Sequence, residues 1–259
     1  MTATIHPSAI VSRNARLADG VEVGPYAIIG EDVEIGEGTT VGAHATIDGP
    51  TVLGKGNRVF PHAVVGFEPQ DLKYRGEKTR LTVGDSNVFR EFSTVHRGTV
   101  TGHGMTVIGD NNYFMACSHV AHDCVIGSHN VMANSSALAG HVEIGSHVVL
   151  GAFTGAHQFI RVGDHAFVGA YAALRQDVLP FCRTEGSDAK TYGINRIGLE
   201  RRGFSEERLK ALERAYRLLV KSRLNTTQAL ERIGAELSGE PDVDYLVRFI
   251  RESKRGFHR

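Results

Sequence analysis

The chain has 259 residues, of which 41% are hydrophobic and 22% charged, as is usual for a globular protein and unusual for a disordered one. Its 29 basic and 29 acidic residues cancel, so no net field recruits nucleic acid or an anionic membrane. Three cysteines without a C-x-x-C pair argue against a disulfide framework and a thiolate zinc site, and favour a reducing cytoplasm. Because no basic leader precedes an apolar stretch and no apolar run reaches about 18 residues, we expect neither secretion nor membrane insertion.

An apolar residue recurs every six positions along most of the chain, and we call these the hexad positions. They are Ile5, Val11, Leu17, Val23, Ile29, Ile35, Val41, Ile47, Leu53, Val59, Val65, Val83, Phe89, Val95, Ile108, Phe114, Val120, Ile126, Met132, Leu138, Ile144, Leu150, Ala156, Val162, Val168 and Leu174. All 26 are apolar, whereas the 41% hydrophobic composition predicts about 11.

A period of six fits neither an α-helix nor a long alternating strand, and it indicates a short strand followed by a corner. Three such sides would close one coil of a parallel β-helix, with coils stacked about 4.8 Å apart. The residue four positions after a hexad position is usually small or β-branched, which would fill a narrow prism. Glycine directly follows 13 of the 26 hexad positions, and we expect it to supply unusual backbone angles at the corners.

The repeat is interrupted twice. Between Val65 and Val83 the phase is kept but the intervening positions are acidic, so residues 66–80 are predicted to leave the prism as a loop. Around residues 96–105 the phase slips by one, which predicts a second excursion. Long loops on a rigid scaffold are frequent places for function.

The hexad repeat ends after Leu174, and helices are predicted in the C-terminal part of the chain. Ser205 is a predicted N-cap, a second helix is expected near Thr226 and a third after Pro241. The sequence therefore predicts a mainly β protein: a parallel β-helix of hexapeptide repeats over residues 1–185, then a linker and a small α-helical C-terminal domain over 186–259. Residues 201–259 carry 14 basic and 9 acidic residues, a net charge of +5 that could attract an acidic partner.

Histidines cluster on one predicted face. Hexad positions 120, 138 and 156 are each eighteen residues apart, so they should stack on successive coils and place His122, His141 and His157 along one ridge. His119 lies just before the first of these positions. Gly140 would then lie directly above His122, and Asp123 beside it.

Two chemistries compete for this ridge. A neutral imidazole oriented by a carboxylate could act as a general base that deprotonates a hydroxyl attacking an acyl carbon. Three histidines could instead hold a metal ion with an open position for water, as in hexapeptide-repeat proteins of the gamma carbonic anhydrase type. Spacing alone leaves both alternatives open.

Six motifs spread along the chain resemble those of a known enzyme family. The stretches PQDLKYRGEKTR (69–80), HRGTV (96–100), HVAHDC (119–124), LAGHVEIG (138–145), HQF (157–159) and GLERRGF (198–204) closely resemble the UDP-N-acetylglucosamine O-acyltransferases, cytoplasmic enzymes of the first step of lipid A synthesis. The resemblance covers nearly the whole chain in order.

The resemblance implies a homotrimer of left-handed β-helices with sites between subunits. The donor would be an (R)-3-hydroxyacyl chain on acyl carrier protein and the acceptor the glucosamine 3-hydroxyl of UDP-N-acetylglucosamine, with no metal or cofactor. His122 matches the general base, Asp123 its orienting partner and the Gly140 N–H the oxyanion donor. The residues that match contacts to the sugar and the acyl–pantetheine end are Gln70, Asp71, Lys73, His119, His141, His157 and Gln158. Those that match contacts to the nucleotide are Asn195, Arg201 and Arg202.

Two positions bear on specificity. Ala170 matches the family's stop at the end of the acyl groove, where glycine accompanies longer chains. Ile197 stands where some members carry a glutamate, which puts that polar contact to the nucleotide in question. A sister N-acyltransferase carries an extra N-terminal domain, whereas the hexads here begin at Ile5, so it is the weaker match. The choice between a 3-hydroxyl and a 3-amino acceptor stays open.

Overall fold

The computed structural model describes residues 2–259, and most of them form short strands. The first thirteen are β1 (Thr4–Ile5), β2 (Ile10–Val11), β3 (Arg16–Leu17), β4 (Glu22–Val23), β5 (Ile28–Ile29), β6 (Val33–Ile35), β7 (Thr40–Val41), β8 (Thr46–Ile47), β9 (Thr51–Leu53), β10 (Arg58–Val59), β11 (Val64–Phe67), β12 (Arg80–Val83) and β13 (Val88–Phe89). The next thirteen are β14 (Thr94–His96), β15 (Met105–Ile108), β16 (Tyr113–Phe114), β17 (His119–Val120), β18 (Val125–Ile126), β19 (Val131–Met132), β20 (Ala137–Leu138), β21 (Glu143–Ile144), β22 (Val149–Leu150), β23 (Gly155–Ala156), β24 (Arg161–Val162), β25 (Phe167–Val168) and β26 (Ala173–Leu174). Each hexad position lies in its own strand, as predicted.

The strands form three parallel sheets, and each sheet takes every third strand. Sheet A begins β1, β4, β7 and runs to β25 before β27 and β28 join it; sheet B runs from β2 to β26, and sheet C from β3 to β24. Strands of the regular coils pair with the strand three hexads away, as Val120 does with Leu138. The chain therefore coils with three strands to a turn, as the period predicted.

The two predicted excursions appear as insertions between coils. Val64 pairs with Thr46 of the preceding coil, which is one regular turn of three hexads. It pairs with Thr94 of the following coil, so the loop after β11 lengthens that turn by two hexads. Thr94 pairs in turn with His119, so the loop after β14 lengthens the next turn by one hexad and one further residue. The first insertion keeps the phase of the repeat and the second shifts it by one, which is the pattern in the sequence.

The core is a narrow prism filled by two inward positions from each side. The hexad residues from Val23 onward are buried, and so are the residues four positions later, such as Ala27 and Val33. Phe89 and Phe114 stack in parallel at 4.9 Å inside sheet A. The predicted pairing of a large and a small inward residue is confirmed.

The predicted role of the glycines after hexad positions is wrong. Among these glycines, Gly66 alone has a positive φ, and the left-handed residue of most corners lies two positions later, as at Tyr26 and Asp32. The glycines are needed because the next coil passes very close: a Cβ on Gly36 would lie 2.5 Å from the backbone of Gly54. Close approach between coils, and not unusual angles, explains them.

A chain of buried asparagines crosses successive coils. The Nδ2 groups of Asn87 and Asn112 donate across coils, to Asn57 Oδ1 at 3.1 Å and to Asn87 Oδ1 at 2.9 Å. Asn130 continues the series by donating its backbone N–H to Asn112 Oδ1. The ladder satisfies backbone groups that the corners would otherwise leave buried and unpaired.

The end of the chain packs around a second apolar core. An antiparallel hairpin, β27 (Cys182–Glu185) and β28 (Lys190–Ile194), which the sequence did not predict, leads into the helices. These are α1 (Arg196–Glu200), α2 (Glu206–Tyr216), a π-helical turn (Arg217–Lys221), α3 (Thr226–Glu236) and α4 (Pro241–Arg251). The second core already includes Leu179 and Phe181. The three predicted helices are present, and Ser205 caps α2. None of the helices within residues 2–259 combines the length and apolar content needed to cross a membrane.

Candidate active site

A trough of about 1190 Å³ runs along the corner between sheets B and C. It extends from the loop after β11 past the predicted histidines to the segment after α4. The predicted site residues that line it are Gln70, Asp71, Lys73, His122, His141 and Gln158. The coil therefore brings the predicted loop and two histidines of the predicted ridge, His122 and His141, to one cavity.

His122 and Asp123 form a hydrogen-bonded pair in the wall of this trough. His122 Nδ1 lies 2.8 Å from Asp123 Oδ2, and the Asp123 side chain is fully buried. Burial alone would raise the pKa of Asp123, but hydrogen bonds from His122, Thr99 and His103 lower that pKa to about 2. Asp123 is thus a carboxylate at neutral pH.

The ionised carboxylate fixes the tautomer of His122. A carboxylate can only accept hydrogen bonds, so Nδ1 of His122 must carry the proton that it donates to Asp123. When the ring is neutral, the lone pair is therefore on Nε2. His122 lines the trough, and a histidine hydrogen-bonded to a buried carboxylate is the kind of pair that general-base catalysis requires.

The second excursion holds Asp123 in place. Thr99 donates its hydroxyl to Asp123 Oδ2 at 2.6 Å and its backbone N–H to both carboxylate oxygens at 3.1 Å. The His103 backbone N–H donates to Oδ1 at 2.9 Å. Sequence reasoning missed Thr99 and His103. The available signal was the hexad position Val95, which lies on the same sheet as Val120 and so places this excursion beside the ridge.

Gly140 lies against the free edge of the His122 ring. A Cβ built on Gly140 would be 2.5 Å from Cε1 and 2.8 Å from Nε2 of His122, so the predicted stacking of the two residues is present. The Gly140 N–H has no backbone acceptor within residues 2–259. This N–H is therefore left without a partner in the backbone network.

His141 and Asp123 occupy equivalent corners of adjacent coils. Both have a left-handed backbone, with φ of 62° and 59°. The His141 ring stacks on Phe159 at 4.5 Å, and its Nε2 lies 3.9 Å from Asp123 Oδ2. Burial lowers the pKa of His141. Ligand atoms of His122, Asp123 and His141 lie within 4.8 Å of one another, a spacing that could hold a metal ion.

His119 and His157 do not line the trough. His119 is half-buried beside it, with its ring edge-on to His96 at 5.3 Å and Nδ1 hydrogen-bonded to the Thr94 hydroxyl at 2.7 Å. His157 is exposed, and its Nδ1 lies 3.4 Å from Nη1 of Arg255. The structure thus joins His122 and His141 within the predicted ridge, with His157 to one side.

Two half-buried histidines predict a pH-dependent stability. Burial lowers the pKa of His119 and of His165 from 6.5 to about 4. Between about pH 6.5 and pH 4 the unfolded chain therefore binds more protons than the folded one, so the free energy of unfolding should fall as the pH falls through this window. Urea denaturation from about pH 7.5 to pH 4.5 measures this slope. In His119→Gln the unfolded chain should bind about one proton fewer, so the slope should be smaller. An unchanged slope would contradict the lowered pKa of His119.

The predicted nucleotide contacts lie elsewhere, around α1. Asn195 caps this helix by accepting the Gly198 N–H at 3.3 Å, and its Nδ2 donates to the His165 carbonyl at 3.0 Å. Arg201 and Arg202 are exposed just after α1, and Ile197 is 65% exposed within it. One chain does not bring this group into the trough.

Ala170 lies at another corner of the coil. It is exposed two residues after hexad position Val168 of sheet A, whereas His122 follows sheet B. The backbone of Ala170 passes close to Gly151 of the previous coil, where a Cβ would lie 2.4 Å from the Ala170 nitrogen. Within one chain Ala170 is therefore remote from the His122–Asp123 pair.

A coil of hexapeptide repeats with a histidine–carboxylate pair in a surface trough is the architecture expected of a hexapeptide-repeat transferase. In agreement, residues 14–49 match the family model described as bacterial transferase hexapeptide (six repeats). Residues 177–258 match the model described as UDP-N-acetylglucosamine O-acyltransferase, domain 2.

Relatives that match over the whole chain identify the family within this class. The chain is 56% identical over 259 residues to the acyl-[acyl-carrier-protein]–UDP-N-acetylglucosamine O-acyltransferase of Trichlorobacter lovleyi, with 99% of each chain covered. It is 48% identical over 257 residues to the enzyme of that name from Myxococcus xanthus, covering 99% of this chain and 100% of the relative. The solved UDP-N-acetylglucosamine O-acyltransferase of Moraxella catarrhalis superposes with a TM-score of 0.95 at 42% identity, with 100% of both chains covered. The chain belongs to the UDP-N-acetylglucosamine O-acyltransferase family.

Proposed function

We propose that this protein transfers an (R)-3-hydroxyacyl chain from acyl carrier protein to the glucosamine 3-hydroxyl of UDP-N-acetylglucosamine, the first step of lipid A synthesis in the cytoplasm. The observation that carries the proposal is the His122–Asp123 pair in the trough of a chain belonging to this family. An oriented neutral imidazole is suited to deprotonate a hydroxyl.

The proposed reaction uses residues already placed in or beside the trough. Nε2 of His122 takes the proton of the sugar 3-hydroxyl while that oxygen attacks the thioester carbonyl. The N–H of Gly140 donates to the resulting oxyanion. Asp123 stabilises the imidazolium, which returns the proton to the departing thiolate as the carbon–sulfur bond breaks. Gln70, Asp71, Lys73, His141 and Gln158 are proposed to hold the sugar and the acyl–pantetheine end, with His157 and the half-buried His119 at its margin.

The direct test offers two acceptors to the purified protein. UDP-N-acetylglucosamine and its 3-amino analogue are each incubated with 3-hydroxyacyl carrier protein, and products are identified by mass spectrometry. The proposal expects the O-acyl ester and free carrier thiol. Amide formed in preference to ester would assign the protein to the 3-amino sugar alternative, and no acylated product with either acceptor would reject acyl transfer.

The spacing of His122, Asp123 and His141 keeps a metal-dependent hydrase as the second candidate. Against it, Asp123 already accepts hydrogen bonds from His122, Thr99 and His103, so this carboxylate would have to give up existing partners to bind a metal ion. We therefore expect chelator-treated protein to retain full acyltransferase activity. Elemental analysis should find no stoichiometric zinc, iron or cobalt. Stoichiometric metal with bicarbonate-forming activity would favour the hydrase instead.

The working form is proposed to be a homotrimer of left-handed β-helices, each closed by a helical C-terminal domain over 186–259. Two placements support subunits that share sites. Ala170 and the α1 group of Asn195, Arg201 and Arg202 lie away from the trough within one chain, so a neighbouring copy would have to supply them. Guanidinium groups suit the phosphate oxygens of a nucleotide. Ile197 stands where some members of the family carry a glutamate, so that polar contact to the nucleotide stays in question.

Ala170 is proposed to set the length of the acyl chain. Its methyl group would fill the end of the groove, and forcing extra methylenes into a filled site costs about 1–3 kcal/mol, or roughly 5- to 150-fold in selectivity. Ala170→Gly should therefore shift the preference to longer 3-hydroxyacyl donors, and Ala170→Met to shorter ones. The KM for the sugar nucleotide should stay nearly unchanged in both. Competition between donors of graded length measures the shift. An unchanged order of preference with altered thermal stability would mean that Ala170 only packs at a corner.

A further inference from the structure

The loop that carries Gln70, Asp71 and Lys73 is attached to the coil through a buried arginine. Arg97, which directly follows β14, is 9% exposed. Its backbone N–H donates to the Phe67 carbonyl at 3.1 Å. The side chain then reaches into the loop, so Arg97 lies where the loop leaves the coil.

The guanidinium of Arg97 binds three groups at once. Nη1 donates to the Gly66 carbonyl at 2.9 Å and to Asp48 Oδ2 at 3.2 Å. Nη2 donates to the Tyr74 hydroxyl at 3.1 Å, and the guanidinium lies 5.9 Å from the centroid of the Tyr74 ring. One side chain thus connects the coil, the base of the loop and its far side.

The far side of the loop is otherwise held mainly by itself. The Tyr74 hydroxyl donates to the Glu77 carbonyl at 2.9 Å. Asp71 accepts the Lys73 N–H at 2.9 Å, and the Tyr74 N–H donates to the Asp71 carbonyl at 3.0 Å. Lys78 pairs with Asp32 at 3.0 Å, but both side chains are largely exposed, and such pairs contribute little. Beyond the contact of His96 Nδ1 with the Glu68 carbonyl near the base of the loop, the turn at Asp71 is tied to the coil through Tyr74 and Arg97.

We propose that Arg97 is a positioning residue for the sugar nucleotide: by fixing Tyr74 it holds the Asp71–Lys73 turn over the trough. The inference rests on the proposed function for the identity of the ligand. Arg97 is absent from the trough lining, so it acts through the loop. Its planar fork satisfies several acceptors in fixed directions, which the single ammonium of lysine does not reproduce.

The test uses the full-length protein and three variants. Arg97→Lys keeps the charge, Tyr74→Phe removes the hydroxyl that accepts from Arg97 and donates to the Glu77 carbonyl, and the double variant combines the two changes. Arg90→Lys is the matched control, because Arg90 also donates to a tyrosine hydroxyl, that of Tyr113, and to a carboxylate, that of Glu91. Each protein is measured for binding of UDP-N-acetylglucosamine by calorimetry, for kcat and KM, and for amide hydrogen exchange over residues 70–75.

Arg97→Lys should raise the Kd for UDP-N-acetylglucosamine about 10-fold, the order expected for a lost charge-assisted hydrogen bond. It should also speed exchange in the loop, while kcat and the KM for the acyl donor change less than about threefold. Tyr74→Phe should have a smaller effect of the same kind. The loss in the double variant should be smaller than the sum of the two single losses, because both changes break the contact between Arg97 and Tyr74. Arg90→Lys should behave as wild type.

Three results would overturn the inference. Faster loop exchange with an unchanged Kd would show that loop order does not matter for binding. Additive effects in the double variant would show that Tyr74 and Arg97 act separately. A loss of kcat that parallels a lower Tm, with an unchanged Kd, would indicate a purely structural role. Wild-type protein that fails to bind UDP-N-acetylglucosamine would instead overturn the proposed function, and this is seen before any variant is compared.

Discussion

Replacing His122 by alanine is expected to lower kcat at least about 100-fold, the low end of what a general base contributes. The reason is that Asp123 accepts a hydrogen bond from Nδ1 of His122, so that in the neutral ring Nε2 is the nitrogen that can take a proton. Asp123→Asn should also be impaired, because an amide can donate to Nδ1 and favour the wrong tautomer. Steady-state kinetics with saturating sugar nucleotide and acyl donor measures both effects.

The control for this prediction is another histidine on the coil. His129 is exposed and stacks on His147 at 4.8 Å along a different corner, so His129→Ala should leave kcat close to wild type. Unfolding curves of both variants show whether the coil stays intact. Near-normal turnover in a well-folded His122→Ala protein would rule out His122 as the base.

Gly140→Ala is expected to lower kcat by a similar factor without unfolding the protein. The backbone of Gly140 does not have a positive φ, so alanine is allowed there. Its Cβ, however, would lie 2.5 Å from Cε1 of His122, well inside van der Waals contact, and the imidazole would have to leave its position beside Asp123. Displacing the base by about 1 Å can cost about 100-fold in rate.

Gly155→Ala provides the matched comparison. Gly155 lies in β23, which pairs with β20, the strand that precedes Gly140. A Cβ on Gly155 would meet nothing within 4 Å. Its neighbours on the adjacent coils, Ala137 and Ala173, are already alanines. Gly155→Ala should therefore be fully active. Equal activity of the two variants would show that the contact between Gly140 and the His122 ring is unimportant for the reaction.

The regular part of the fold could be predicted because its period is repeated so often. From Val23 onward each hexad position faces the core, so its burial follows from the spacing. The glycines after these positions were misinterpreted because sequence does not distinguish a glycine needed for its backbone angle from one needed for close approach. The hairpin of β27 and β28 follows no such period and was missed for that reason.

In the candidate site, too, contacts between regularly spaced residues could be predicted and contacts made by the loops could not. The stacking of Gly140 on His122 followed from a spacing of three hexads, and the structure has it. The hydrogen bonds of Thr99 and His103 to Asp123 come from an aperiodic loop, whose path the repeat does not determine. The contact between Arg97 and Tyr74 was missed for the same reason, because Tyr74 lies in the other loop. The phase of the repeat predicts where residues of the coil lie, but it does not predict the contacts that the insertions make.

The unequal insertions after β11 and β14 also bear on how the chain finds its register during folding. In a uniform repeat, a strand that pairs one coil too early or too late still buries its apolar side chains, so hydrophobic burial alone does not reject the slipped pairing. Misassembly between similar units is a characteristic failure of repeat proteins. Here a slip across either insertion would force a polar loop through the wall of the prism. The two loops that build the trough thus also mark the middle of the coil, and deleting them would create a chain more prone to kinetic traps.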